Sequence, residues 1–169
     1  MISYWKKGCN YLLKNDPYFK KYYDKSHSLK LNKNKFDILF KSICSQQISV
    51  TAAMSIYQQS KKIMGSINYN SFKNQKGLIK DLPLSKNKKK SIISLIENYQ
   101  LVKSIKFDHS YESKPPYELT KIFGIGPWTV EMFSIFYLGI SDILPKGDQI
   151  SSLYSNRLWS TRDVGFIIK

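Results

Sequence analysis

The residues with the clearest potential for chemistry lie between Leu119 and Asp148. A tight turn, Gly124-Ile125-Gly126, is predicted between a short apolar helix and a longer one. Glycine permits the positive φ and the close backbone approach that such a hairpin needs, and exposed N–H groups at a helix start suit a phosphate. The same pattern also fits an ordinary tight helical turn, so the two glycines alone do not decide between these interpretations.

Asp148 is the carboxylate that follows this turn, after one helix and one loop. It stands directly before Gln149-Ile150 and is therefore a candidate N-cap for a further helix. A carboxylate held at a helix start in a cleft could also stabilise positive charge that develops on a sugar during glycosidic bond cleavage, or orient the attacking water. The two roles are compatible.

The elements that must position these residues are helical. Apolar residues recur at helical spacing, alternating β-branched runs are few, and Asn-Gly and Asp-Gly hairpin signals are absent, so the sequence predicts an all-α protein. Cap and breaker residues predict helices over 3–14, from Asp16-Pro17, from Asn34, from Ser49 to Gly65, from Lys86 to Val102, and from Pro116 and Pro127, with a short helix and turns in 66–83.

A polar elbow, Ser45-Gln46-Gln47-Ile48-Ser49, separates two of these helices. Ser49 can cap the second helix. Two adjacent glutamines at such an elbow either hydrogen-bond the scaffold or face a ligand, and the sequence leaves both interpretations open.

The charge balance favours a polyanionic partner. The 169 residues include 27 lysines and arginines against 12 acidic residues, a formal net charge of +15, which suits nucleic acid or an acidic membrane. An AT-rich genome would also enrich Lys, Asn, Ile and Tyr, so the charge supports this inference without proving it. Lysines 86, 88, 89 and 90 open a helix, where the helix dipole disfavours them; either solvent screens them or a polyanion lies near.

Length and composition limit the remaining possibilities. The length suits one compact domain over residues 1–169. Cys9 and Cys44 are too few for a zinc ribbon and fit a reducing compartment. No run of signal-peptide character and no stretch near the roughly 20 apolar residues of a membrane span is present, so we expect a cytoplasmic protein with no membrane partner.

Four motifs follow one another along the chain: SICSQQISVTAA (42–53), LPLSKNKKKSI (82–92), IFGIGPWTVEMF (122–133) and DILPKGDQI (142–150). With these motifs in the same order, the sequence resembles the helix-hairpin-helix DNA glycosylases of the 3-methyladenine DNA glycosylase II type. The resemblance covers residues 12–158. It implies a two-lobed all-α fold, with a central helical lobe at about 35–138 and the N- and C-terminal segments forming the second lobe. A damaged base would be flipped into the cleft between the lobes, because the glycosidic bond cannot be attacked inside the base stack.

The resemblance also implies site residues. Asp148 matches the catalytic acid, and Trp128 and Met132 match the base pocket, where Met132 replaces a frequent aromatic residue. An alkylated purine is cationic, so stacking on an aromatic face would select it by roughly 0.5–2 kcal/mol per contact.

Further matches lie in the hairpin and at the elbow. Gln47 or Ile48 matches the wedge that fills the gap left by the flipped base. The positions that match phosphate-binding amides are Gly124, Gly126 and Thr129, and those that match carbonyl ligands of a monovalent cation are Thr120, Ile122 and Ile125.

Departures from the family refine the expected activity. Relatives that also cut the DNA backbone have a lysine at the position of Trp128, so the resemblance implies a monofunctional enzyme. No cysteines follow Asp148, so no iron–sulfur cluster is expected, and no other cofactor is implied. The last residues, STRDVGFIIK, do not match the family, and the C-terminal lobe is expected to be shortened.

The expected function is hydrolysis of the N-glycosidic bond of alkylated purines in double-stranded DNA, by a monomer. The alternative is a binder of damaged DNA that has lost turnover through an incomplete C-terminal lobe. Retention of Asp148 favours the enzyme, because a pure binder has no need of an acid facing a negatively charged backbone.

Overall fold

The computed structural model describes residues 3–23, 30–106, 114–140, 143 and 145. Every regular element within these residues is a helix, as the sequence predicts. The α-helices are α1 Ser3–Asn15, α2 Pro17–Tyr22, α3 Lys35–Ser45, α4 Val50–Met64, α5 Tyr69–Asn74, α6 Lys86–Glu97, α7 Tyr99–Ser104 and α8 Pro127–Phe133. Two 3₁₀ turns, Lys76–Asp81 and Tyr117–Lys121, and a π-helix, Ser134–Leu138, complete the described elements.

Helix starts follow the cap residues that the sequence predicts. The Asp16 side chain accepts hydrogen bonds from the amides of the first turn of α2, and Pro17 is the first helical residue. Ser49 caps α4 through the Ala52 amide, and Ser85 caps α6 in the same way. Each cap satisfies an amide that has no acceptor within its own helix.

Two predicted helices are not regular α-helices over their whole length. The helix predicted from Lys86 to Val102 is interrupted at Asn98, whose side chain donates to the Ser94 carbonyl at 2.9 Å. A short polar side chain that bonds the backbone in this way competes with helical hydrogen bonding. The helix from Pro127 widens into the π-helix after Phe133. The end of the π-helix is fixed by hydrogen bonds from the amides of residues 139 and 140 to the Ser134 carbonyl.

The core is built around α3. Its predicted apolar face, Phe36, Leu39, Phe40 and Ile43, is fully buried, and α3 packs against α4, α6 and α8. Phe36 and Phe40 both pack on Phe72 of α5, with ring centroids 4.9 and 5.1 Å away. The central helix therefore fixes the positions of the helices that carry the candidate site.

The predicted division into lobes and the shortened C-terminal lobe depend on the terminal segments, and residues 146–169 lie outside the described residues. Both stay predictions. None of the described helices is long and apolar enough to span a membrane.

Candidate nucleic-acid interface

The predicted hairpin consists of the 3₁₀ turn Tyr117–Lys121, residues 122–126 and α8. Of its two glycines, only Gly124 has a positive φ, +83°. Gly126 is extended, with φ −94°, and is the N-cap of α8. The amides of Trp128 and Thr129 belong to the first turn of that helix, where amides have no intrahelical acceptor.

Helix α6 fixes this turn from one side. A Cβ atom added at Gly124 would overlap the Cβ and Oγ atoms of Ser91, and the Phe123 amide donates to Ser94 Oγ at 3.2 Å. Sequence reasoning missed both serines. The available signal was two small polar residues, three positions apart, interspersed with the inward-facing Ile92 and Leu95.

The elbow between α3 and α4 fixes the turn from the other side. Gln46 Nε2 donates to the Gly124 carbonyl oxygen at 2.9 Å and to Thr129 Oγ1 at 3.1 Å. Gln47 is exposed and has a positive φ of 57°, and Ile48 is 38% exposed. The two interpretations of the glutamine pair therefore each apply to one residue: Gln46 bonds the scaffold and Gln47 is accessible to a ligand.

A cleft of about 1500 Å³ opens between the elbow, the hairpin and α4. The predicted wedge residues, the predicted pocket residues and one predicted phosphate-binding residue line it together; they are Gln47, Ile48, Trp128, Met132 and Gly124. Gly126 and Thr129 do not line it, and Thr129 is buried with its hydroxyl accepting from Gln46.

The cleft has two walls. The hairpin wall comprises residues 122–138, and Trp128, Met132 and Phe136 follow one another along it at intervals of four. The α4 wall comprises residues 50–58, where Val50 and Met54 are 73% and 64% exposed. The helix from Pro127 is apolar nearly all round, which predicts burial on every side. The structure corrects this prediction, because the stripe faces the cleft and Phe136 is 41% exposed.

Exposed apolar side chains concentrate at this cleft. Of the nine large hydrophobic residues exposed in the described part of the chain, five line it: Ile48, Val50, Met54, Phe123 and Phe136. The Trp128 indole nitrogen is buried and has no hydrogen-bond partner among the described residues. A buried unpaired donor is rare in native proteins and calls for an explanation.

The charge of the cleft is positive. Lys30, Lys41 and Lys88 line it, and no acidic side chain does among the described residues. Lys88 Nζ donates to the Cys44 carbonyl at 2.6 Å, and burial lowers the pKa of this amine. Burial also raises the pKa of the Cys44 thiol to about 12 although Lys88 opposes the shift, so Cys44 stays a neutral thiol.

The lysines at the start of α6 divide into two kinds. Lys88 Nζ donates a hydrogen bond to the Cys44 carbonyl, and Lys89 Nζ donates one to the Lys80 carbonyl. Lys86 and Lys90 are exposed. Part of the cluster therefore stabilises carbonyl groups of neighbouring elements, which the sequence did not indicate.

A buried carboxylate lies beside the α4 wall. Asp37 is 7% exposed and accepts from Tyr57 Oη at 2.7 Å, from Lys41 Nζ at 2.7 Å, and from the Asn32 amide. Burial and the bond to Asp37 raise the pKa of Tyr57. With three donors the carboxylate is satisfied, and it orients Tyr57 and Lys41, which both line the cleft.

The predicted cation ligands are carbonyls of the hairpin. The Ile122 carbonyl already accepts from the Ile125 amide at 3.0 Å, so one of its two lone pairs is engaged. The Ile122 and Ile125 side chains are buried and anchor the hairpin in the core. The monovalent cation stays a prediction. Asp148, the predicted catalytic acid, lies outside the described residues.

No protein-family model and no curated protein matches this sequence. Solved structures do. The chain superposes on the Schizosaccharomyces pombe 3-methyladenine DNA glycosylase in complex with abasic DNA with a TM-score of 0.69 and 20% identity, over 96% of this chain and 95% of the other. The chain has the 3-methyladenine DNA glycosylase fold.

A second structure with this glycosylase fold is the DNA-3-methyladenine glycosidase of Bacillus halodurans. Its TM-score is 0.61 and its identity 24%, over 95% of this chain and 80% of the other. The all-α glycosylase fold that the four sequence motifs imply is therefore confirmed, while its division into lobes stays a prediction. In the glycosylase fold of this chain, Gln46, Ser91 and Ser94 are the residues that hold the hairpin at the cleft.

Proposed function

We propose that this protein is a monofunctional DNA glycosylase that hydrolyses the N-glycosidic bond of flipped alkylated purines, of the 3-methyladenine type, in base excision repair. The observation that carries the proposal is the composition of the cleft. Its aromatic and aliphatic side chains lie together with three lysines and, among the described residues, without an acid. Phosphates need cations and unstacked bases need apolar faces, so nucleic acid with a displaced base suits both.

Each element of the cleft has a role in this proposal. Gln47 and Ile48, exposed at the elbow, would fill the space that a flipped base leaves. Trp128 and Met132 would line the base pocket, and an acceptor on the ligand side could explain the unpaired indole nitrogen of Trp128. The hairpin amides would hold the phosphate beside the lesion.

Asp148 would supply the chemistry. An ionised carboxylate near the anomeric carbon stabilises the oxocarbenium-like transition state or orients the attacking water. The proposal includes no lysine nucleophile, because Trp128 takes the position of the lyase lysine. Lys88 Nζ donates a hydrogen bond to the Cys44 carbonyl. The product would be an abasic site in an intact strand.

The test is mass spectrometry of bases released from methylated DNA by the wild-type chain and by Asp148→Asn. We expect release of 3-methyladenine by the wild type without strand cleavage, and a loss in the variant of at least about 100-fold, the usual minimum for removing a group that acts in the transition state. The variant should still bind abasic-site DNA.

Two outcomes would contradict the proposal. Release at the wild-type rate by Asp148→Asn would remove that residue from the mechanism. Tight binding of abasic DNA by a wild-type chain that releases no base would instead identify a damage binder.

A further inference from the structure

The side-chain amide of Gln46 joins two parts of the cleft that lie far apart in the sequence. Its Nε2 atom lies 2.9 Å from the Gly124 carbonyl oxygen and 3.1 Å from Thr129 Oγ1. Because a carbonyl oxygen can only accept, the nitrogen end of the amide must face Gly124. The two bonds therefore fix the orientation of the Gln46 side chain against the hairpin.

The next residue in the chain is held in an unfavourable conformation. Gln47 has a φ of +57° although it is not a glycine, at a cost of about 1–2 kcal/mol. Such a conformation persists only when the surrounding structure imposes it. Here the elbow is held at both ends, by the bonds of Gln46 to the hairpin and by the Ser49 cap on α4.

We propose that Gln46 is a positioning residue that locks the exposed Gln47–Ile48 tip to the Gly124 turn in one register. Entry of the tip into a duplex and seating of the neighbouring phosphate on the hairpin would then occur together. This inference rests on the proposed function and deepens it. Gln46 acts through the elbow and the hairpin and touches no reacting atom.

The lock has a specific energetic consequence. Flipping a paired base costs a few kcal/mol of stacking and pairing, and an unpaired base costs least. A residue that couples the wedge to the phosphate site lowers the free energy of the flipped state, and this matters most where flipping is most costly. Loss of the lock should therefore slow excision of a paired lesion far more than excision of an unpaired one.

The test uses Gln46→Glu, which preserves the shape of the side chain but places an acceptor against the Gly124 carbonyl. Single-turnover release is measured from two duplexes that carry one 7-methylguanine, opposite cytosine or opposite an abasic spacer. We expect a loss of roughly 5- to 12-fold on the paired lesion, since one lost hydrogen bond is worth about 1–1.5 kcal/mol. On the unpaired lesion we expect a loss of less than about threefold.

Two further variants keep the result interpretable. Gln59→Glu makes the same change on an exposed part of α4 outside the cleft, where the Gln59 side chain donates to Ser55 Oγ at 3.0 Å, and should leave both rates unchanged. Thr129→Val removes one of the two acceptors of Gln46 and should give an intermediate loss on the paired lesion. Thermal unfolding of each variant separates a folding defect from a loss of coupling.

An equal loss on both duplexes, or no loss on either, would overturn the lock. A wild-type chain that releases nothing from either duplex would contradict the proposed function instead. In that case the lock is tested by binding, with 2-aminopurine paired opposite thymine in the duplex. Wild type should then raise the 2-aminopurine fluorescence and Gln46→Glu should not; an equal rise would contradict the lock.

Discussion

On the hairpin wall, the turn at Gly124 is held by side chains from two other elements, Gln46 from the elbow and Ser91 and Ser94 from α6. On the α4 wall, Val50 and Met54 are mostly exposed, and Tyr57 of the same wall donates a hydrogen bond to the buried Asp37. The hairpin wall is therefore fixed by hydrogen bonds and by the close packing of Gly124 on Ser91, while the α4 wall presents exposed apolar side chains. A partner can be positioned by the first wall and gain burial energy from the second.

The difference indicates where substitutions should act. On the hairpin wall, a change in a buried contact should alter both folding and binding, because geometry and stability depend on the same atoms. On the α4 wall, the Tyr57–Asp37 hydrogen bond should affect stability, while the exposed Val50 and Met54 should affect only binding. Three predictions examine this comparison, in order of decreasing effect.

The largest effect is expected from Gly124→Ala. The alanine would have to adopt a φ near +83°, at about 1–2 kcal/mol, and its Cβ would overlap Ser91, at about 1–3 kcal/mol for overpacking. We expect urea unfolding to show a loss of roughly 3 kcal/mol, together with a loss of abasic-DNA binding.

Gly126→Ala is the matched control. Gly126 has an extended backbone and nothing within 4 Å of an added Cβ, so its stability should change by less than about 1 kcal/mol. If its amide approaches a phosphate as predicted, DNA binding should weaken at unchanged stability. Equal destabilisation by the two substitutions would show that the close fit at Ser91 does not fix the hairpin.

The sequence predicts what depends on local chemistry. Asp16, Ser49 and Ser85 cap helices because a side chain reaches an amide two or three residues away, and periodicity alone identifies the buried face of α3. The break at Asn98 is also local, but a long apolar periodicity on both sides concealed it.

Long-range contacts could not be predicted in this way. Gln46 and Gln47 are the same residue type in adjacent positions, and their different roles arise from a hydrogen bond across 78 residues. The pairing of Asp37 with Tyr57 likewise depends on how α3 and α4 pack. The family resemblance named five of the residues that line the cleft, Gln47, Ile48, Gly124, Trp128 and Met132. The residues that hold them in place became visible only in the structure.

The second prediction concerns the lysines of α6 at the edge of the hairpin wall. Lys86 and Lys90 are exposed, whereas Lys88 bonds the Cys44 carbonyl. If DNA runs beside α6, Lys86→Met and Lys90→Met should each reduce the slope of log K against log salt by about 0.9. Lys88→Met should leave the slope unchanged and lower stability by about 1 kcal/mol.

Abasic-DNA affinities at four salt concentrations give the slopes, and thermal unfolding gives the stabilities. Unchanged slopes for Lys86→Met and Lys90→Met would assign both residues to solvent. A reduced slope for Lys88→Met would mean that the Lys88 amine gives up its hydrogen bond to the Cys44 carbonyl and contacts DNA instead. The surroundings of the hairpin wall would then be less rigid than their contacts indicate.

The smallest effect is expected from Tyr57→Phe in the α4 wall. Burial first, and then the hydrogen bond to Asp37, raises the pKa of Tyr57 above its ordinary value of 10.0. The unfolded chain therefore releases this proton first as pH rises. The contribution of Tyr57 to stability is fully present below about pH 10 and is lost progressively above it.

Urea unfolding of wild type and Tyr57→Phe between about pH 8 and pH 11 measures this contribution. The difference in the free energy of unfolding should stay near 1 kcal/mol up to about pH 9.5 and then shrink. Lys35, Lys88 and Tyr99, whose pKa values also shift, are common to both proteins and cancel in the difference. A difference that is constant across the range would mean that neither burial nor the hydrogen bond to Asp37 raises the pKa of Tyr57. The α4 wall would then lack the buried support that Asp37 is expected to give it.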